Sequence, residues 1–197
     1  IDRTVDPSNP QLRQLNEQAY SIKVIDLGNA DARAVYKTLN MDMRNYKRLK
    51  MHIHAEALEG YPLEDNQMSA FIRIGSDYED NFYEYEIPLK LTPHGTYADN
   101  NETDRYAVWP EENELDIPLE VFTKAKLARN DAKRVAGSAV TLQTIYSISD
   151  PDKINNKVRI KGNPSLGNVV TMMIGLRAHG AGVKSAEIWI NELRLTD

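Results

Sequence analysis

The chain has 197 residues, of which 41% are hydrophobic and 27% are charged, and its formal net charge is -5. This composition is ordinary for a globular domain, and the acidic balance argues against nucleic acid as a partner, because phosphates require a concentrated basic surface. Cysteine is absent, which excludes a disulfide framework and a thiolate metal site or nucleophile. No apolar run approaches the roughly 20 residues of a membrane helix, so we expect this segment not to span the membrane.

The chain divides into two regions of different pattern. Residues 1–18 are polar, contain two prolines, and predict an arm or linker. Residues 19–197 predict a single β-sandwich domain. Because the chain begins with Ile1 rather than Met, we expect it to be a segment of a longer protein whose targeting signals lie elsewhere.

Alternation of apolar and polar residues with a period of two dominates residues 19–197 and predicts β-strands. The pattern occurs at residues 20–27, 48–58, 69–75, 81–91, 140–149, 169–177 and 185–195. Turn signals rich in Gly, Pro, Asn and Asp separate these segments. The pattern predicts a mostly β fold, a two-sheet antiparallel sandwich that is jelly-roll-like, of the galactose-binding or concanavalin-like kind.

Three of these segments allow finer predictions. Residues 169–177 are apolar on both faces, which is typical of a central strand. In residues 185–195 the alternation slips by one position after Ile190, which predicts a β-bulge. We expect the first and last strands, 20–27 and 187–195, to lie close together in one sheet.

The stretch "NFYEYEIPLKL" at residues 81–91 predicts a strand with one buried face. The side chains expected in the core are Tyr83, Tyr85, Ile87, Leu89 and Leu91. Those expected in water are Glu84, Glu86 and Lys90. Pro88 cannot donate to a sheet ladder, so the strand is expected at an edge or bulged at that position. The alternative that the aromatic row is offered to a ligand stays open.

The segment 118–134 departs from the strand pattern and predicts a helix near 118–129. Pro118 suits a helix start, apolar residues recur at helical spacing, and basic residues crowd the end, where they complement the helix dipole. The preceding segment, residues 99–116, is acidic and rich in asparagine, and we expect it to be an exposed loop.

Two clusters carry potential metal ligands. His52 and His54 alternate with apolar residues, so both rings are expected on the wetter face of one strand. No third ligand is evident for a transition metal, and we predict no metal there. The turn at residues 77–81 collects oxygen ligands, which suit either a calcium ion or an ordinary turn.

Motifs for catalysis, phosphate binding or cofactor binding are absent from the sequence. We therefore predict no catalytic, cofactor-binding or metal-binding residue, no cofactor, and no enzymatic activity. Trp109 is interpreted as a core plug or as an exposed sugar-binding platform. Exposure of the rings of Trp109, Tyr78, Tyr97 and Tyr106 around a groove would favour sugar.

Several phrases, taken together and in order, resemble the SprA/Sov family. They are "KRLKMHIHAEAL", "FIRIGSDYEDNFYEYEIPLKLTP", "VWPEENELDI", "KAKLARN", "VRIKGNPSLGNVVTMMIGLR" and "SAEIWINELRLTD". This family is the very large outer-membrane protein of gliding motility and type IX secretion in Bacteroidetes. The phrases cover most of residues 47–197, and none of them is a functional motif by itself.

The resemblance implies that the parent protein is a secretion translocon of the outer membrane. This segment would then be a non-catalytic structural or interaction domain outside the lipid, on the cell-surface or periplasmic side. Its expected partners are other parts of the translocon, outer-membrane partner proteins or secreted cargo. A carbohydrate-binding module of a surface protein is the alternative, and a hydrolase built on a sandwich is a third hypothesis.

Overall fold

The computed structural model describes residues 19–98 and 100–197, so the arm predicted at residues 1–18 lies outside the described residues. The fold is mostly β, with ten strands in two antiparallel sheets. The strands are β1 (Tyr20–Leu27), β2 (Ala32–Met41), β3 (Arg48–Ala57), β4 (Met68–Gly75), β5 (Phe82–Pro88), β6 (Leu115–Pro118), β7 (Tyr146–Ser149), β8 (Lys157–Lys161), β9 (Val169–Ala178) and β10 (Lys184–Thr196). The helices are α1 (Glu102–Val108) and α2 (Glu120–Arg134), with a 3-10 turn at Glu111–Asn113.

The strand order is that of a jelly roll, which confirms the predicted sandwich. The smaller sheet has the order β1-β10-β3-β6, and the larger sheet has the order β2-β9-β4-β5-β8-β7. Most consecutive strands along the chain alternate between the two sheets, as two interlocked Greek keys require. β1 pairs antiparallel with β10, so the first and last strands are neighbours as predicted.

Helix α2 fills the space that the smaller sheet leaves uncovered. The larger sheet extends by β8 and β7, and α2 packs against these two strands. Phe122 of α2 is fully buried, and its ring lies 5.2 Å from that of Tyr83 on β5. The predicted helix near 118–129 is confirmed, although it begins at Glu120 and continues to Arg134.

The core lies between the sheets and contains the side chains that the period of two assigns to it. Tyr83, Tyr85, Ile87 and Leu89 are at most 3% exposed, and Leu91 is partly buried. In β10 the residues facing the core are likewise buried, and the register shifts between Asn191 and Arg194. The bulge predicted after Ile190 is therefore confirmed.

Two of the predicted segments differ from the expected secondary structure. The expected loop at 99–116 contains α1, the 3-10 turn and the start of β6. Asn101 caps α1 by accepting a hydrogen bond from the Thr103 amide, which favours a helix in this polar segment. Only Tyr146–Ser149 of the expected strand 140–149 is a strand, because the Thr141 and Thr144 hydroxyls bond to nearby backbone amides and form a turn.

The expectation that β5 lies at a sheet edge is wrong. β4 and β8 pair with β5 on its two sides. The pairing with β8 ends at Glu86, however, so Pro88 faces a strand only on the side of β4. The missing N–H of the proline is therefore accommodated just beyond the shared ladder.

Candidate interaction surfaces

One side of the sandwich ends in two long strands that have no further neighbour among residues 19–98 and 100–197. β1 ends the smaller sheet with 8 residues, and β2 ends the larger sheet with 10 residues. We call these two strands the open edge. An edge strand leaves backbone N–H and C=O groups unpaired along one side, and such a row is a template for a strand from another chain.

Large apolar side chains are exposed along the open edge. On β1, Tyr20 is 79% exposed and Ile25 is 56% exposed. On β2, Val35 is 56% exposed and Tyr36 is 60% exposed. In the part of the chain that the structure describes, the open edge therefore combines an unpaired backbone with exposed apolar side chains, which is typical of an interaction site.

The opposite side of the sandwich has the usual protection against strand addition. β6 and β7 are only four residues long, and β6 ends at Pro118. Helix α2 also packs against β7 and β8 on this side. Short strands, proline and a covering helix are the devices by which proteins block sheet edges, so the two sides of the sandwich differ in their capacity to accept a strand.

The sequence pattern of residues 32–41 does not predict the strand β2. Its burial alternates only weakly, and most of its side chains are exposed, so the two faces carry no clear difference in polarity. The available signal was composition, because Val35, Tyr36 and Thr38 are residue types that strands favour.

The outer face of the larger sheet carries a buried charged cluster. Glu84 and Glu86, which were expected to face water, are 0% and 4% exposed. Arg73 on β4, Arg159 on β8 and Arg177 on β9 surround them. We call these five residues the arginine–glutamate cluster. Arg73 and Arg177 are each the single charged residue of an otherwise apolar strand, which is the signal by which their pairing could have been predicted.

The contacts in this cluster are close. Arg73 Nη2 and Nε lie 2.6 and 2.9 Å from Glu84 Oε2. Glu84 Oε1 lies 2.9 Å from Arg159 Nη1 and 3.0 Å from Arg177 Nη1. Arg159 and Arg177 also contact Glu86. Nη1 of Arg177 is buried and forms no directed hydrogen bond with a described group, so its attraction to the carboxylates is an ion-pair contact.

The electrostatic balance of the cluster favours an ionised Glu84. Burial by itself would raise the pKa of this carboxyl group, but the charges of Arg177, Arg73 and Arg159 outweigh burial and hold the pKa below its ordinary value. The stability of a buried carboxylate depends on such oppositely charged partners. Removing one member of the cluster leaves the charge of the remaining members without compensation and destabilises the fold.

His179 lies at one end of the arginine–glutamate cluster. Its Nε2 lies 2.8 Å from Ser69 Oγ and 3.2 Å from Glu86 Oε1. Burial, followed by the charges of Arg177 and Arg159, lowers the pKa of His179. Because Ser69 Oγ donates its proton to Glu86 at 2.6 Å, the neutral imidazole fits as the donor to the serine oxygen.

His54 lies in a different environment from the one expected. It projects from the outer face of β3, but it is 2% exposed because the segment containing α1 covers it. Its Nδ1 lies 2.9 Å from the Val108 carbonyl and 3.1 Å from Thr92 Oγ1, and its ring lies 4.3 Å from the Trp189 ring. Its Nε2 is 3.6 Å from Glu56 Oε2 and has no hydrogen-bond partner among described groups.

The aromatic residues singled out from the sequence lie apart from one another. Tyr106 is 63% exposed on α1, and Trp109 is half-buried, with its ring 6.1 Å from that of His54. Tyr106 and Trp109 line one open cavity of about 500 Å³. Tyr78 and Tyr97 are half-buried and do not line this cavity. Trp109 is thus neither fully buried as a plug nor fully exposed as a platform.

The oxygen-rich turn between β4 and β5 is organised by hydrogen bonds to Asp77. Burial raises the pKa of Asp77, but the Asn81 side chain and the backbone amides of Asp80, Asn81 and Glu79 outweigh it and lower the pKa to about 2. The ammonium group of Lys161 lies 2.7 Å from Asp80 Oδ1 and 2.9 Å from the Glu79 carbonyl. A lysine thus already supplies a cation to this turn.

Comparison with known proteins identifies the family. The family model SprA_N, described as "Motility related/secretion protein", matches residues 1–197. The chain belongs to this family. A search of curated proteins finds no match.

Neither a membrane-spanning helix nor a cluster of metal ligands is found in the described part of this chain. Across residues 19–98 and 100–197, no helix is both long and apolar enough to cross a membrane. Within the same residues, no group of three or more His, Cys, Asp or Glu side chains is arranged to hold a metal ion, and the absence of a metal at His52 and His54 stays a prediction.

Proposed function

We propose that the chain is a non-catalytic structural and interaction domain of the outer-membrane translocon of type IX secretion and gliding motility. Membership in a motility and secretion family supports this role. The resemblance of residues 47–197 to the SprA/Sov family supports the finer assignment to the translocon. The domain would lie outside the lipid, in the periplasm or at the cell surface, and would bind other proteins of the apparatus.

The observation that carries the proposal is the open edge. Within the described residues, β1 and β2 present unpaired backbone and exposed apolar side chains, whereas the strands at the opposite edge are short and α2 packs against β7. The partner would add an extended strand to β2, since main-chain hydrogen bonds then provide affinity and alternate side chains provide specificity.

The charged side chains of β2 indicate which residues the partner strand would contain. Arg33 and Lys37 flank Val35 at alternate positions of β2, on the same face of the strand. The described part of the chain offers neither of them a carboxylate within ion-pairing distance, and Arg33 donates only to the neighbouring Ala32 carbonyl. The complementary strand would alternate apolar with acidic residues, because opposite charges on paired strands stabilise the pairing.

The test is photo-crosslinking in the full-length parent protein in cells. A photoreactive phenylalanine analogue replaces Val35, and the same analogue replaces Ile145 as the control. Ile145 precedes β7 on the opposite side and is 54% exposed, which matches the 56% of Val35. We expect Val35 to crosslink to an acidic, extended segment of a protein of the secretion apparatus, identified by mass spectrometry, and Ile145 not to do so.

Secretion provides the functional readout. The Ala178 N–H donates to the Asp31 carbonyl, and Val35 lies opposite Ile174, so the backbone groups of Val35 point toward β9 and those of Tyr36 point away from it. Tyr36→Pro therefore removes an outward-facing N–H and blocks strand addition at the edge, so we expect cargo to accumulate inside the cell, whereas Ile145→Pro should leave secretion unchanged. Circular dichroism would check that both variants fold. Normal secretion by a folded Tyr36→Pro variant would contradict the proposal. A crosslink from Val35 to residues 1–18 of the same chain would also contradict it.

A further inference from the structure

A cavity on the outer face of the smaller sheet has the features of a site for a basic side chain. It has a volume of about 500 Å³ and lies between α1, the 3-10 turn and β3. We call it the aromatic cavity. Its lining residues are His52, Glu102, Arg105, Tyr106, Trp109, Pro110, Glu111 and Glu114.

The two aromatic rings of the cavity are presented differently. Trp109 is held in place, because its backbone N–H donates to the Arg105 carbonyl at 2.8 Å and its ring packs edge-on against that of buried His54. Tyr106 lies one helical turn before it and is 63% exposed, and its hydroxyl group bonds to no described group. A fixed indole and a free phenol ring in one cavity offer two π faces to a ligand.

The charges of the cavity are unbalanced. Three carboxylates, those of Glu102, Glu111 and Glu114, line it against one guanidinium group, that of Arg105. None of these three carboxylates has an ion-pair partner within 4 Å in the described part of the chain. By contrast, the neighbouring Glu112 points outside this cavity and pairs with Lys90 at 2.7 Å.

We propose that the aromatic cavity binds a lysine or arginine side chain of a partner peptide. A cation is attracted both by the faces of Trp and Tyr rings and by carboxylates, so both features of the cavity serve the same ligand. A neutral sugar would stack on the rings but would leave the three carboxylates without a counter-charge. The cavity is separate from the open edge, so this proposal stands independently of strand addition.

Fluorescence of Trp109 provides a direct test. In a Trp189→Phe background Trp109 is the single tryptophan, since the chain contains two. The probes are an acetylated and amidated tetralysine peptide, the corresponding tetraglutamate peptide, and cellobiose as the neutral sugar. We expect tetralysine alone to change the emission, with an affinity that falls as salt rises.

Variants test whether tetralysine binds in the aromatic cavity or is attracted only by the overall negative charge of the chain. Tyr106→Ala, and Glu111→Gln combined with Glu114→Gln, should each weaken tetralysine binding by about 3- to 10-fold, as the loss of a cation–π contact or of nearby charges predicts. Glu112→Gln is the matched control and should change binding by less than about twofold. Equal weakening by Glu112→Gln, or binding of cellobiose in preference to tetralysine, would overturn the proposal.

Discussion

Arg177 on β9 reaches across β4 to place its Nη1 3.0 Å from Glu84 Oε1 on β5. Because neighbouring strands lie about 4.8 Å apart, this contact joins two strands that share no backbone hydrogen bond. Arg73 and Arg159 approach the same carboxylate from β4 and β8. One buried carboxylate thus links four adjacent strands of the larger sheet.

Glu84→Gln should destabilise the chain by about 3–5 kcal/mol, the range measured when one partner of a buried ion pair is removed. The variant leaves three half-buried arginines with one carboxylate. Glu79→Gln in the adjacent turn is the control, because Glu79 is exposed, and it should cost less than about 0.5 kcal/mol. Urea denaturation measures both, and similar midpoints for the two variants would show that the cluster is not stabilising.

The pH dependence of stability follows from the same residue. The folded-state pKa of Glu84 lies below its unfolded-state value, so its contribution is fully present above about pH 4.3 and is lost as the pH falls through the folded-state pKa. We expect the difference in unfolding free energy between wild type and Glu84→Gln to be constant from pH 7 to about 5 and to shrink below about pH 4. Denaturant titrations at each pH measure this difference, and a constant difference down to pH 2 would contradict the assignment.

On β5, the sequence predicts the buried inner face correctly but not the burial of the outer face. Alternation correctly assigned Tyr83 and Tyr85 to the core, because burial between two sheets imposes a period of two. The same alternation placed Glu84 and Glu86 in water, since it assumes that a charged side chain is a solvated one. Their partners lie on β4, β8 and β9, and only the assembled sheet brings these strands together.

The interaction surfaces were harder to predict than the core for a related reason. β2 buries little, so it produces no alternation, and its place at the open edge depends on its pairing with β9. His54 is buried because the segment containing α1 covers it. Helix α1 was not predicted, because the acidic composition of residues 99–116 indicated an exposed loop. A strand that buries one face alternates in polarity and can be predicted from the sequence, whereas a strand that buries little, such as β2, cannot.

Tyr85→Phe tests a second buried polar contact. Tyr85 Oη lies 2.5 Å from Asp150 Oδ2 and accepts a hydrogen bond from Asn156 Nδ2 at 3.0 Å. The variant leaves two buried groups short of a partner, so we expect a loss of about 1–3 kcal/mol. Tyr146→Phe is the control, because no described group bonds to its hydroxyl, and it should cost less than about 0.5 kcal/mol. Equal thermal stability of the two variants would argue against the contact.

Gly175→Ala should loosen β2 from the larger sheet. A methyl group at Gly175 on β9 would lie 2.4 Å from the Arg33 carbonyl oxygen, 2.5 Å from Ala34 Cβ and 2.7 Å from the Phe71 ring. Two of these contacts belong to β2, so relief of the clash requires β2 to move away from β9. We expect a loss of about 1–3 kcal/mol, together with faster amide hydrogen exchange in β2 than in β5.

Gly95→Ala is the matched control for this substitution, since a methyl group there would meet only the Tyr97 ring at 3.6 Å, an ordinary contact distance. It should change stability by less than about 0.5 kcal/mol and leave exchange in β2 unchanged. If β2 carries the partner strand as proposed, Gly175→Ala should also reduce the Val35 crosslink in cells, because the partner pairs with a correctly placed edge. Unchanged exchange in β2 together with unchanged stability would show that β9 absorbs the methyl group without moving the open edge.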